Sequence, residues 1–377
     1  MRIRLEKVCA HMRRKIRSAA AAVSAAALAI QPLHAALDAN PPLRPPQNTG
    51  EPRRHPGLWE AGEAGRFTTR SAEELKRLLE LPVPAEILVE GDIEFRAPVS
   101  VKARDKLLRG APGAILRNPN RGRRDSGILY FRPGSKNITI SNLTFMGAGA
   151  HDVDGGDNLC LDGAENVVVE HCDFQDGVDG NFDIKNASDN IEVRWCRFRY
   201  LIPPLPGPGG SDDHRLSNLI GHSDGAHGDR GRLRVSFRFC RWENCAGRMP
   251  RVRFGKVALI NCLFEPKPGA KTIQCGNESA IYVENCVFKG RQTPWADFSR
   301  DSVYAITDRG SLFIGCKRPA ETGSGAGYTP PPPGASLPAS EVERALERAG
   351  PLPPQPGAPH GAAAPGGQSG RTHSFLY

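Results

Sequence analysis

Six segments of the chain repeat one pattern of nine residues, in which apolar and polar positions alternate and an aromatic residue closes the segment. The segments are residues 137–145, 166–174, 190–198, 234–242, 256–264 and 280–288. Their closing aromatics recur at intervals of 22 to 29 residues, apart from one interval of 44 that includes a Pro/Gly-rich loop at 202–210. Alternation with a period of two predicts β-strands and argues against a helical solenoid. A strand-rich unit recurring at this spacing is typical of one coil of a β-solenoid, whose coils stack on one another.

Five of the six segments carry a cysteine two positions before the closing aromatic. These residues are Cys172, Cys196, Cys240, Cys262 and Cys286. Equivalent positions in stacked coils lie above one another, so we expect one internal column of small, buried, reduced thiols. Disulfides and a zinc site are the less favoured interpretations, since the sequence has no Cys-x-x-Cys pair.

The segments around the repeat predict short helices and a tail. Ser71-Ala72-Glu73-Glu74 is a capping-box pattern that predicts an amphipathic helix at the N-terminal end of the repeat domain. We predict a domain of stacked strands at 61–327 and a C-terminal capping segment at 328–350, which contains a short helix at 340–348. A Pro/Gly/Ala-rich tail at 351–377 is expected to be disordered.

The first 35 residues have the composition of a secretory signal. Seven cations precede an apolar, alanine-rich run, and Ala35 supplies a small residue at its end. The run is too short to span a bilayer, so we predict export to the periplasm or the medium without a membrane anchor. Residues 36–60 are expected to form a Pro-rich linker.

The net charge looks different once this leader is removed. The full chain has 50 basic and 41 acidic residues, a net charge of +9. Residues 36–377 have 43 basic and 40 acidic residues, a net charge of +3. Much of the basic character therefore belongs to the leader, and we expect no nucleic-acid partner.

A second series of strand-like segments follows the closing aromatics and carries charged side chains. Asp179 and Asp183 are four residues apart, and on an extended chain such residues share a face. Asp157 belongs to the preceding coil, about 4.8 Å away in a stacked sheet, and Arg253 of a later coil should line the same face. Three converging carboxylates suit a hard cation that binds through oxygen, namely Ca²⁺. The alternative is that each aspartate only accepts hydrogen bonds from a turn, but three in one register favour the metal.

Residues 248–253, Arg-Met-Pro-Arg-Val-Arg, match the Arg-x-Pro-x-x-Arg signature of the pectate lyases of polysaccharide lyase family 1. Residues 156–198 and 218–264 also resemble this family. The resemblance implies an all-β fold, namely a right-handed single-stranded parallel β-helix of the pectin-lyase-like type with a short N-terminal capping helix.

The resemblance also implies roles for individual residues. It makes Arg248 the catalytic base and Arg253 a ligand of the substrate carboxylate. Pro250 between them predicts a bend that lets both side chains reach one cleft despite their odd spacing. The family's calcium ligands correspond to Asp157, Asp179 and Asp183.

Two positions of this chain depart from the family pattern. A further calcium ligand of the family, two residues before Asp157, is Gly155 here. The substrate-binding lysine of the family falls at Leu216, so the neighbouring Arg215 is the nearest cation for that role.

The activity that the resemblance implies is that of a secreted, monomeric pectate lyase, which cleaves polygalacturonate by calcium-assisted β-elimination. A cation on the C6 carboxylate would acidify the C5 proton; a base would remove it, and the C4 oxygen would leave to give a 4,5-unsaturated product. One alternative is a pectin lyase that acts on methylated polymer without calcium and would not need the three aspartates. The other is a non-catalytic β-helix, an adhesin or glycan-binding protein, which leaves the arginine signature unexplained.

Overall fold

The structure is a computed structural model that describes residues 64–298, 303–321, 323, 325–330 and 336–353. The predicted leader at 1–35 and linker at 36–60 lie outside the described residues, as does most of the predicted tail at 351–377. Within the described ranges, no helix combines the length and the apolar composition needed to cross a membrane.

The described strands form three parallel sheets. Sheet 1 contains, in order, β1 (Gly65–Thr69), β2 (Ala85–Val89), β5 (Arg104–Gly110), β8 (Lys136–Ser141), β11 (Glu165–Glu170), β14 (Asp189–Arg194), β17 (Arg234–Arg238), β20 (Lys256–Ile260), β23 (Ala280–Glu284) and β26 (Ala305–Arg309). Sheet 2 contains β4 (Val99–Val101), β7 (Leu129–Phe131), β10 (Leu159–Asp162), β13 (Phe182–Lys185), β16 (Leu219–Ile220), β19 (Arg251–Val252), β22 (Lys271–Cys275) and β25 (Thr293–Asp297). Sheet 3 contains β3 (Asp92–Glu94), β6 (Ile115–Arg117), β9 (Thr144–Met146), β12 (Asp173–Gln175), β15 (Arg197–Arg199), β18 (Arg241–Glu243), β21 (Leu263–Glu265), β24 (Val287–Lys289) and β27 (Leu312–Ile314). From β2 onward the chain visits sheets 3, 2 and 1 in turn, so each circuit is one coil and the predicted parallel β-helix is confirmed.

The nine-residue repeat covers a strand of sheet 1, a corner and a strand of sheet 3. In one coil β11 ends at Glu170, His171 has a φ of 50°, and β12 begins at Asp173 just after Cys172. Left-handed residues occupy the same corner in other coils, namely Asn142, Trp195, Phe239, Asn261 and Asn285. A single residue in this region of φ/ψ space turns the chain sharply. The repeat therefore marks a corner between two strands.

The closing aromatics of the repeat form a stack inside the β-helix. Its members are Phe145, Phe174, Phe198, Trp242, Phe264, Phe288 and Phe313, with successive ring centroids 4.6 to 5.2 Å apart. This distance is close to the spacing of neighbouring strands, so each ring lies on the ring of the previous coil. Stacking of this kind stabilises the register between coils, because a slip by one residue would turn every ring outward.

The predicted cysteine column is confirmed. Cys172, Cys196, Cys240, Cys262 and Cys286 are free and fully buried. Consecutive members approach one another, as shown by the 3.4 Å hydrogen bond from the Cys262 backbone N–H to Cys286 Sγ. The thiols therefore fill space at the corners between sheets 1 and 3.

Replacing Cys240 with alanine is expected to lower the free energy of unfolding by about 1–2 kcal/mol, because a small cavity would open in the column. Urea denaturation of the two proteins measures this difference. Cys316→Ala is the matched control, since Cys316 is only partly buried and should cost less. Mass spectrometry that found the column cysteines in disulfides would contradict the account.

Two short helices accompany the coils, as predicted. Helix α1 (Ala72–Leu79) begins after Ser71, whose Oγ accepts a 3.2 Å hydrogen bond from the Glu74 N–H, and its leucines enter the core of the first coils. Helix α2 (Ala339–Ala345) continues into a 3₁₀ turn (Leu346–Arg348). It packs with Phe239, Leu263 and Val287 on the outer flank of the coils. The C-terminal segment therefore covers a side of the β-helix rather than closing its end.

Candidate functional site

Three aspartates converge where two neighbouring strands of sheet 2 begin. Asp183 is the second residue of β13, and Asp157 lies two residues before β10. Asp179 lies on a bend between β12 and β13, not on a strand shared with Asp183. The predicted convergence is confirmed, but the reasoning from an extended chain was wrong for Asp179, because a bend brings this residue to the site.

The three carboxylates are close enough to share a ligand. One oxygen from each of Asp157, Asp179 and Asp183 lies within 4.8 Å of the other two. Gly180 permits this approach, because a Cβ at that position would lie 2.7 Å from Asp157 Oδ1 and 3.3 Å from Asp183 Oδ1. A side chain at residue 180 would push the carboxylates apart.

Buried asparagines of three successive coils hold the backbone that carries the aspartates. Asn158 Nδ2 donates to Gln175 O at 2.7 Å and to Asn181 Oδ1 at 3.2 Å. One coil further, Asn218 Nδ2 donates to Phe182 O at 3.1 Å. These hydrogen bonds tie neighbouring coils together around the three carboxylates, although Asn158 Oδ1 and Asn181 Nδ2 are buried without partners among the described residues.

The crowding of negative charge shifts the pKa values of two aspartates upward. Burial and the neighbouring charges of Asp183 and Asp179 hold the pKa of Asp157 well above its usual range. Burial raises the pKa of Asp183 to about 6, although the positive charges of Arg248 and Lys185 oppose the rise. The cluster is therefore an unfavourable place for three negative charges unless a cation accompanies them.

The third aspartate keeps its negative charge more easily. Burial alone would raise the pKa of Asp179, but a hydrogen bond with His214 and the charge of Arg248 outweigh it and lower the pKa. His214 Nε2 lies 3.0 Å from Asp179 Oδ1, and His214 Nδ1 lies 3.5 Å from Asp152 Oδ1. The sequence analysis missed His214, since nothing in the repeat relates this loop residue to the aspartates.

The donor set fits a calcium ion. Asp157 Oδ1 is buried and has no hydrogen-bond partner, which is costly for a carboxylate that only caps a turn. Asp183 does accept a hydrogen bond, from the Leu219 N–H at 3.0 Å. Carboxylate oxygens are the ligands that Ca²⁺ prefers. At Gly155, where the family has a further ligand, a Cβ would lie 2.7 Å from Ser126 Oγ, so the cluster is built from three aspartates.

Arg248 lies beside the aspartates on a bend that precedes β19. Its φ of 55° and the buried side chain of Met249 show that the bend expected at Pro250 begins at Arg248. The guanidinium influences the charge of all three aspartates but forms no hydrogen bond or ion pair with any residue that the structure describes. Its Nε is buried without a partner. Arg248 is therefore a cation whose donors the described protein leaves free.

The other two arginines of the signature differ in how the protein binds them. Arg253 is 8% exposed; its Nε donates to Asp224 Oδ1 at 2.6 Å and its Nη1 to Gly221 O at 3.2 Å. Arg251 donates through Nε to Gln274 Oε1 at 2.6 Å. Burial and the charges of Arg248 and Arg253 lower the pKa of Arg251 to about 9.

Arg215, the predicted stand-in for the family lysine, is already bound to the protein. Its Nε and Nη2 donate to the carboxylate of Asp213, each at 2.8 Å, and its Nη1 donates to Asn244 Oδ1 at 2.6 Å. With all three nitrogens engaged, the structure does not favour a role for Arg215 in substrate binding, and that role stays a prediction.

Lys185 is a further cation at the site that the sequence analysis missed. It closes β13, two residues after Asp183, and its Nζ lies 5.7 Å from the ring centroid of Tyr130. Residues two apart on a strand share a face, so the position of Asp183 could have pointed to it.

Comparisons with known proteins agree on one family. A family model described as pectate lyase matches residues 125–312. The Aspergillus flavus protein named "Probable pectate lyase B" is 28% identical over 236 residues, which cover 60% of this chain and 64% of that protein. The Thermotoga maritima "Pectate trisaccharide-lyase" is 28% identical over 221 residues, which cover 56% of this chain and 54% of that protein. The chain thus spans less than two thirds of the length of either relative.

A solved structure shares the fold. A pectate lyase from a Bacillus species, in complex with trigalacturonate, superposes with a TM-score of 0.60 at 18% identity, covering 78% of this chain and 94% of that one. This likeness confirms the predicted right-handed parallel β-helix. The family model and the curated relatives confirm the predicted resemblance to the pectate lyases, and the solved structure confirms the fold.

Proposed function

We propose that the chain is a polysaccharide lyase that cleaves polygalacturonate by calcium-assisted β-elimination. The observation that carries the proposal is the cluster of Asp157, Asp179 and Asp183 beside Arg248, an arginine without a partner among the described residues. The names of the relatives and the trigalacturonate in the Bacillus enzyme support the same substrate class.

The three aspartates would hold the calcium ion. They offer fewer oxygens than the roughly six to eight that calcium takes, so we expect substrate carboxylate and water to supply the rest. When bound, calcium neutralises a galacturonate carboxylate and stabilises the negative charge that develops beside it. The buried asparagines and Gly180 keep the carboxylates converged for this purpose.

Arg248 takes the C5 proton in this proposal. The neutral form of the guanidinium accepts the proton, and the electron pair of the C5–H bond forms the C4–C5 double bond. The C4 glycosidic oxygen leaves with the electrons of the C4–O bond and takes a proton from water. Arginine is normally charged, so its use as a base rests on the family resemblance. The position of Arg248 supports it, because the described protein does not engage its guanidinium and it lies beside the aspartates that would hold the calcium ion and, through it, the substrate carboxylate.

The two alternatives fit the site less well. A pectin lyase acts on methyl esters without a metal ion, so it would not need Asp157 Oδ1 as a buried, unpartnered metal ligand. A non-catalytic glycan-binding protein would not need an unpaired arginine beside a carboxylate cluster. Export through the leader at 1–35 and a monomeric state remain predictions.

The products formed from polygalacturonate test the proposal. Elimination gives oligogalacturonates with an unsaturated end, which absorb in the ultraviolet and are one water lighter than hydrolysis products. We expect this absorbance and this mass with polygalacturonate, and a much lower rate with highly methylated pectin. Preference for the methylated polymer would favour the pectin lyase alternative, and binding without cleavage would favour the glycan-binding one.

A further inference from the structure

Arg251 has an unusual position among the cations of the site. The pairing of β16 with β19 aligns Leu219 with Arg251, and the pairing of β13 with β16 aligns Ile184 with Ile220. Arg251 therefore continues the row of Asp183, two coils further along the same face of sheet 2. At the usual strand spacing, the two Cα atoms lie about 10 Å apart.

The side chain of Arg251 is held from two directions. Its Nε donates to Gln274 Oε1 at 2.6 Å, and Gln274 is the next residue of the same row. Its Cζ lies 3.5 Å from the ring centroid of Phe298, an aromatic side chain that is 38% exposed. A guanidinium that stacks on a ring and donates through Nε has a fixed plane.

The charge of Arg251 is not paired. No carboxylate of the described residues lies within ion-pair distance of it, and no described group accepts from Nη1 or Nη2. Nη1 and Nη2 of Arg251 are not fully buried, so both nitrogens keep access to solvent. Arg253, by contrast, is neutralised by Asp224 at 2.6 Å.

We propose that Arg251 binds a carboxylate of the substrate through its two terminal nitrogens, and that Gln274 and Phe298 hold it in the required plane. Paired N–H donors of arginine match the two oxygens of a carboxylate. This contact would replace the cation that the chain lacks at Leu216. The inference rests on the proposed function, since a polygalacturonate chain offers one carboxylate per sugar.

The test compares Arg251→Gln with the wild-type protein on polygalacturonate. We expect KM to rise on the order of tenfold to a hundredfold, as for loss of a charged hydrogen bond, with a smaller change in kcat. The rise in KM caused by Arg251→Gln should be smaller on partly methylated pectin, because that polymer offers fewer carboxylates. Arg66→Gln is the charge-matched control, because Arg66 is 80% exposed in the first coil, and it should leave KM unchanged.

Arg251→Lys keeps the test decisive if Arg251→Gln does not fold, whereas a change at Phe298 would also disturb Arg253, whose Cζ lies 5.0 Å from the same ring. The lysine keeps the charge but not the paired donors, so KM should rise severalfold. Calorimetric titration with trigalacturonate measures binding in the same variants independently of turnover, and Kd should rise in parallel with KM. Unchanged KM and Kd in the folded variants, or a loss confined to kcat, would overturn the role of Arg251. Absence of cleavage by the wild-type protein would instead overturn the proposed function.

Discussion

Replacing Arg248 with lysine is expected to remove almost all turnover while the protein still folds and binds oligogalacturonate. General base catalysis contributes roughly 100- to 10,000-fold to a rate, so kcat should fall by at least about 100-fold. Lysine keeps the positive charge but cannot place a nitrogen where the buried, unpartnered Nε and the terminal nitrogens of Arg248 lie. Steady-state kinetics on polygalacturonate measure the loss.

The matched comparison is Arg253→Lys in the same signature. The family resemblance makes Arg253 a ligand of the substrate carboxylate, so its replacement should raise KM more than it lowers kcat. If Arg248→Lys keeps most of its kcat, the base is another group, and Arg248 only contributes charge beside the aspartates.

Replacing Asp183 with asparagine is expected to abolish calcium binding and with it most of the activity. Asparagine has nearly the same shape and its side-chain oxygen still accepts from the Leu219 N–H, so the fold should persist. Loss of a metal that stabilises developing charge costs about 4 kcal/mol or more, which corresponds to a fall of about 1000-fold in rate. Calorimetric titration with calcium and the rate on polygalacturonate measure the two effects.

Asp154→Asn is the control for this substitution. Asp154 lies close to Asp157 in sequence, but its side chain is 80% exposed and pairs with Arg123. Its removal should leave calcium affinity and rate close to those of the wild-type protein. Calcium binding that survives in Asp183→Asn, or that is equally lost in Asp154→Asn, would show that the cluster is not the metal site.

The same cluster makes calcium binding depend on pH. The pKa of Asp183 is raised from 3.8 to about 6, so its protonated form is favoured by folding. The stability that this proton contributes is present below pH 3.8 and is lost as pH rises through about 6. Calcium competes with the proton, so its affinity should fall below about pH 6, and calcium should raise the melting temperature more at pH 7.5 than at pH 5.

The fold was predictable because the side chains that face the core recur at regular intervals in the sequence. The aromatics at 145, 174, 198, 242, 264 and 288 and the cysteines before them recur once per coil, and stacking requires this recurrence. The corner between sheets 1 and 3 was not predicted, since it depends on backbone angles that residues as different as His171, Trp195 and Asn261 adopt.

The site was only partly predictable from the sequence. Asp157 and Asp183 follow from the register of the coils, whereas Asp179 reaches the cluster through a bend. His214 and Phe298 come from segments outside the repeat, so no spacing in the sequence relates them to the aspartates or to Arg251. The sequence places Arg251 within the signature but does not show which of its arginines forms an ion pair. The structure shows that Arg253 pairs with Asp224, whereas Arg251 has no carboxylate partner among the described residues.

The most direct test of the central claim is the ultraviolet absorbance of unsaturated product formed from polygalacturonate as calcium is removed and restored. The wild-type protein should produce this absorbance, lose it in excess chelator and regain it when calcium is added back, because the converged aspartates hold substrate through the metal. Product formation that continues undiminished in excess chelator would contradict the calcium-assisted elimination.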